Sequence, residues 1–135
     1  MGIAITKTGL ATQVANWLVN ELGTAGPLPI IATLFVLALL LTQVMNGAAV
    51  ASIIIPIAIQ TSQALNLDPR SVVMAVALAT SIAFITPLGH PVNVLVMAPG
   101  GYQFRDYLRV GLPLAVLLTI LILLLLPYFW PLYLR

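Results

Sequence analysis

Two short stretches hold most of the residues able to do chemistry in this chain: "TQVMNGAAV", Thr42 to Val50, and "ITPLGHPVN", Ile85 to Asn93. The second carries two prolines, a glycine, the only histidine and an asparagine, in a chain that is 61% hydrophobic and 6% charged. Thr42, Asn46, Thr86, His90 and Asn93 are the polar side chains that the two stretches supply. Interrupted helices expose backbone carbonyls that can ring a cation and N-terminal amides that attract an anion. Binding and passage of an ion is therefore the expected chemistry. A catalytic constellation is not expected: there is one histidine, three carboxylates lie scattered, cysteine is absent, and "PGGY" follows no strand that would make it a phosphate loop.

His90 admits three roles at this stage: a substrate contact, a proton carrier, or an imidazole that only hydrogen-bonds within its own loop. Pro and Gly also serve as simple kinks in membrane helices, and Thr or Asn as interhelical hydrogen-bond partners, with no substrate involved. Two breaks in one short chain favour a site over a pair of kinks.

The elements that position these residues must lie in a membrane. Mean hydropathy is +1.14, and the uncharged runs Leu22–Leu67, Ser71–Gln103 and Val110–Leu134 each exceed the ~20 residues that span a bilayer core. An all-α integral membrane protein is the expected fold class. A net charge of +2 is too small and too dispersed for a nucleic-acid partner, and the polar start "ITKTG" argues against a signal peptide.

Residues 1–23 place Leu10, Val14, Trp17, Leu18 and Leu22 at helical spacing opposite Lys7, Gln13, Asn16, Asn20 and Glu21, which predicts an amphipathic helix at the interface. From 27 to 66 the chain is uncharged for about 40 residues, or near 60 Å as one helix, about twice the hydrocarbon thickness. A break at Gln43, Asn46 and Gly47 divides it into arms near Leu28–Met45 and Ala48–Leu65. Arms this short, joined by a tip without charge or aromatic anchor, favour a re-entrant hairpin over two full crossings. Residues 69–98 predict a broken helix: Arg70 to Ile85, an unwound loop through Thr86-Pro87 and Gly89, then Pro91 to Met97. A last transmembrane helix is expected over 107–134, ending in the aromatic belt of Tyr128, Phe129, Trp130 and Tyr133. Arg105 and Arg109 fall outside the apolar span, as surface or headgroup contacts.

"TQVMNGAAVASIIIPIAI" followed by "SIAFITPLGHPVNVLVMAPGGYQFRDYLRVGLPL" resembles the second half of the divalent-anion:sodium symporter family, which includes sodium/sulfate and sodium/di- or tricarboxylate carriers, and most of all its bacterial anion permeases. The resemblance implies half of an inverted-repeat transporter: the C-terminal repeat, beginning just before its interfacial helix, with the hairpin opening to the outer face. It implies a small anion as substrate, sodium as coupling ion with no other cofactor, no enzymatic activity, and a bacterial inner membrane location. A first repeat or partner chain would complete the site, and a homodimer is the usual assembly. Proton coupling, a metalloid substrate as in the wider superfamily, or a non-transporting membrane protein are the alternatives.

The family's hairpin tip commonly reads Ser-Asn-Thr, where Asn46, Gly47 and Ala48 stand here, so two hydroxyls are missing. Thr86, Pro87, Gly89 and Asn93 match its Thr-Pro-x-Gly-x-x-x-Asn pattern. The resemblance thus marks Asn46, Gly47, Thr86, Pro87, Gly89, Asn93 and, as a candidate, His90 for substrate binding. Thr42, Asn46, Gly47, Thr86 and Asn93 are the candidates for sodium.

Overall fold

A helix that is apolar along most of its length is stable where its surroundings are apolar too, and among the described residues Pro27–Thr42, Gly47–Ala64 and Phe104–Phe129 are of that kind. The computed structural model describes residues 26–132, together with positions 13, 16, 17 and 19–21. Most of the interfacial segment expected over 1–23 lies outside the described residues. The rest is helical: α1 (Pro27–Thr42), α2 (Gly47–Ala64), α3 (Pro69–Ser81), a single 3-10 turn (Pro87–Gly89), α4 (Pro91–Met97) and α5 (Phe104–Phe129). No strand occurs among the described residues. Two of these helices, α2 and α5, are long and apolar enough to cross a membrane.

Starts and stops follow local chemistry. Gly26, at φ 95°, turns the chain into α1 in a conformation that other residues resist. Pro27 then occupies a first-turn position where its missing N–H costs nothing. Asn46 caps α2, its Oδ1 accepting from the Ala48 amide at 2.9 Å. At the far end of α2, Asn66 takes the left-handed conformation (φ 53°), while the Leu67 amide reaches back to Ser62 O at 2.8 Å and the Asn66 amide to Gln63 O. This is the Schellman arrangement, with asparagine in the place glycine usually holds. Asp68 at once caps α3, accepting from the Arg70 amide at 2.9 Å, with Pro69 as its first residue.

The core is a three-helix contact among α1, α2 and α3. Ile31, Leu34, Phe35 and Ala38 of α1, Val50, Ile54 and Ala58 of α2, and Val72, Ala75, Val76 and Ala79 of α3 are buried. Ala75 and Ala79 keep the α3 contact face thin, so neighbouring backbones approach closely. α5 packs on α3 through few residues; only Gly111, Ala115 and Leu126 of its 26 are buried. The faces of α4 and α5 that remain exposed are themselves apolar, including Val92, Leu95, Leu117 and Leu124.

Several boundaries differ from the sequence expectation. α3 stops at Ser81, four residues before the expected Ile85: the Gln43 side chain from the α1–α2 turn takes the Ile82 carbonyl and the Ile85 amide that a continuing helix would use, and Pro87 disfavours helix at Thr86. α5 begins at Phe104, not Tyr107, because the Asp106 carboxylate accepts from the Gln103 amide at 2.8 Å and caps an earlier turn. It ends at Phe129, short of residue 134, because Pro131 biases Trp130 to extended backbone.

Candidate functional site

The turn between α1 and α2, Gln43 to Asn46, lies against the segment Ile82–Thr86 that follows α3. Gln43 makes this contact. Its side chain is 6% exposed; its Nε2 donates to Ile82 O at 2.6 Å and to Leu39 O at 2.9 Å. Its Oε1 accepts from the Ile85 amide at 3.1 Å. Its backbone carbonyl accepts from Thr86 Oγ1. One residue thus satisfies polar groups on both sides of an unwound segment, as buried non-helical backbone requires.

Asn93, on α4, completes the arrangement from the other side. Its Nδ2 donates to Ala83 O at 2.9 Å and, at 3.5 Å, weakly to Thr86 O. Tyr107 of α5 donates its hydroxyl to Asn93 O at 2.8 Å. The glycines of both stretches lie where backbones nearly touch. A Cβ on Gly47 would stand 2.7 Å from Thr80 O, and one on Gly89 would stand 2.9 Å from Thr42 O and 3.0 Å from Ala83 O. Gly111 of α5 is in the same position against Phe84 O.

Beside this junction opens a cleft of about 400 Å³, lined by Asn46, Gly47, Ala48 and Ala51 of the first turns of α2, by Thr80, Ser81 and Ala83 at the end of α3, and by Gly89, His90 and Pro91. Its walls are electrically opposite. The first turn of α2 carries amides and the last turn of α3 carbonyls that have no partner within their own helix, apart from the Ala48 amide, capped by Asn46 Oδ1, and Ala79 O, which accepts from the Ile82 amide. The hydroxyls of Thr80 and Ser81 point back to Ala77 O. His90 caps α4, its Nδ1 3.5 Å from the Val92 amide, and is exposed. No carboxylate, lysine or arginine lines the cleft. It can therefore hold an anion by backbone dipoles on one side and a hard cation by carbonyl and hydroxyl oxygens on the other.

The residues marked by sequence fall into two groups. Asn46, Gly47, Gly89 and His90 line the cleft. Thr42, Thr86, Pro87 and Asn93 do not: Thr42 is fully buried with its hydroxyl on Ala38 O at 2.7 Å, Pro87 is buried, and Thr86 and Asn93 hold the unwound backbone. Gln43, Thr80, Ser81 and Tyr107 were missed. Gln43 did carry a signal, a buried-type position in an apolar run filled by an amide; Thr80, Ser81 and Tyr107 carried none beyond their polarity.

Comparison with known proteins identifies the family. A family model described as citrate transporter matches residues 1–134. The uncharacterized transporter YfbS of Escherichia coli is 32% identical over 129 residues, covering 96% of this chain and 21% of that protein. The sodium-dependent dicarboxylate transporter SdcS of Staphylococcus saprophyticus is 30% identical over 131 residues (95% of this chain, 25% of the relative). The sodium/sulfate cotransporter 1 of Chlamydomonas reinhardtii is 30% identical over 118 residues (87% and 13%). The chain spans about a fifth of the length of the curated relatives it matches. Those relatives are transporters and not enzymes, and they reside in membranes; two helices here are long and apolar enough to cross one. With a match along nearly its whole length, this chain belongs to the citrate-transporter family, within the divalent-anion:sodium symporters.

Proposed function

We propose that this chain supplies half of the substrate site of a sodium-coupled carrier for sulfate or a small di- or tricarboxylate. The observation that carries the reading is the cleft between the α1–α2 turn and the interrupted helix, lined by no carboxylate, lysine or arginine and walled by helix termini of opposite polarity. Asn46, Gly47, Gly89 and His90 touch the anion; Thr42, Thr86, Pro87 and Asn93 shape the backbone around it. Sodium takes oxygen ligands from the α3 terminus and the Asn46 side chain, and its charge offsets the repulsion that a dianion meets in an apolar surrounding.

In this reading α1 and α2 form a re-entrant hairpin. α1, at 16 residues, is roughly 24 Å long, under the ~30 Å hydrocarbon core, and α2, at 18 residues and roughly 27 Å, stands at the low end of the lengths that span it. α3 and α4 are then the two halves of one broken transmembrane helix, and α5 a full crossing. A second repeat closes the other side of the site. A bacterial inner membrane and a homodimeric assembly complete the reading; both rest on the family resemblance alone.

The test is uptake by the full-length polypeptide containing this sequence, purified into proteoliposomes, of radiolabelled sulfate, succinate and citrate. An inward sodium gradient should drive uptake of at least one of them. Uptake driven by a proton gradient and indifferent to sodium would transfer coupling to protons, with His90 as the first residue to substitute. No uptake of any of the three would refute the reading.

A further inference from the structure

The cleft's two walls, the start of α2 and the end of α3, touch directly where Gly47 meets Thr80 O. Beyond that contact their relation is held by polar groups where the α1–α2 turn meets Ile82–Thr86. Of the polar contacts between those two segments, those at Ile82 O, Ile85 N and Thr86 Oγ1 all converge on Gln43. The side chain must donate and accept at once, which an amide does and neither a carboxylate nor a thioether can. We propose that Gln43 is a positioning residue whose buried amide fixes the spacing between the α2 N-terminal amides and the α3 C-terminal carbonyls, and so sets how tightly the cleft holds its ion. The inference rests on the reading of the cleft as the transport site.

Chemistry outside the cleft makes the assignment testable. Gln43 does not line the cleft, so its substitution removes no group that touches substrate. Q43M keeps the length and apolar stem of the side chain but leaves Ile82 O and Ile85 N without partners. Q43E still accepts from Ile85 N but loses its donations to Leu39 O and Ile82 O. Thr86→Val removes the remaining hydrogen bond to the Gln43 carbonyl.

The experiment has two arms on the full-length carrier. In proteoliposomes, with sulfate, succinate and citrate as probes, Q43M and Q43E should raise KM for the transported anion on the order of tenfold, equivalent to about 1.4 kcal/mol of binding. The maximal rate should change much less. Thr86→Val should raise KM in the same direction and act non-additively with Q43M, since both break one junction. In the second arm, spin labels go on cysteines at Val44 and Leu88, which are 74% and 61% exposed and sit on the two sides of the junction. The chain itself has no cysteine. The interlabel distance distribution should be narrow with Gln43 and broad in Q43M.

Unchanged KM in both Gln43 variants, or an equally narrow distance distribution in Q43M, overturns the proposal. Uniform loss of protein with lowered melting temperature and unaltered KM in the surviving fraction would make Gln43 a structural residue only, and overturns it too. If the wild-type carrier moves none of the three anions, the transport reading fails. The distance arm still decides whether Gln43 fixes the two walls.

Discussion

Replacing Gly47 by alanine adds one methyl group where the two walls of the cleft nearly touch. The new Cβ would meet Thr80 O at 2.7 Å, about 0.6 Å short of an ordinary C···O approach of roughly 3.3 Å. The obstacle is a backbone carbonyl on α3, which cannot rotate away as a side chain can. The first turn of α2 and the last turn of α3 must therefore separate. Overpacking of this kind costs about 1–3 kcal/mol. Against it stands the better helix propensity of alanine, worth up to ~1 kcal/mol inside a helix and less at the first position. The expected net effect is a destabilisation of about 1–2 kcal/mol, seen as a lower thermal midpoint of the purified carrier in detergent. Because the same displacement moves the α2 amides, binding of the transported anion should weaken in parallel. Gly26→Ala is the control: its added Cβ meets no atom within 4 Å, so its cost comes from the left-handed backbone alone and should leave anion binding intact. A G47A carrier with unchanged midpoint and unchanged anion affinity would refute the claim that close backbone approach is what glycine provides here.

Asn46→Ala removes the cap of α2 and should cost about 1 kcal/mol of stability, whereas Asn46→Asp keeps the cap but places a carboxylate in the cleft; thermal unfolding should separate the two, with N46D near wild type in stability yet much weaker in anion uptake. Asn93→Leu strands Ala83 O in a buried setting, at a cost of about 1–3 kcal/mol, and should lower the thermal midpoint even though Asn93 lies outside the cleft. Asn66, at φ 53°, should tolerate glycine with little change, while Asn66→Ala should lose about 1 kcal/mol from the left-handed strain; equal stability of the two variants would count against the Schellman reading of that turn.

The helix breaks were legible because the chemistry of interruption is local. Gln43, Asn46 and Gly47 stand out in an uncharged run, and Asn46 is a ready N-cap, so the turn between α1 and α2 falls where the residues suggest. The end of α3 was not legible, and the reason is tertiary. "SIAFI" has no residue that stops a helix; what releases Ile82 O and Ile85 N from helical bonding is Gln43, 39 and 42 positions away. The same long-range contact divides the candidate residues. Thr42 and Asn46 are equally polar neighbours of the tip, yet Thr42 sits on the last turn of α1 and spends its hydroxyl on Ala38 O, while Asn46 has left the helix and faces the cleft.

The division between lining and bracing residues has a physical logic. A carrier site must bind and then release, and a fixed arginine or lysine buried opposite a dianion would hold it strongly in a low-dielectric surrounding. The cleft carries no such charge. Partial charges from helix termini are weaker and depend steeply on where the termini sit, so the demand shifts from side chains that touch the ion to groups that hold the backbone in place. Gln43, Thr86, Asn93 and Tyr107 are all of the second kind: each spends its hydrogen bonds on backbone carbonyls or amides at the junction. In the proposed half-site, substitutions should accordingly sort by mechanism, with changes at Asn46 and His90 altering which ion is preferred and changes at the bracing residues altering how tightly any ion is held.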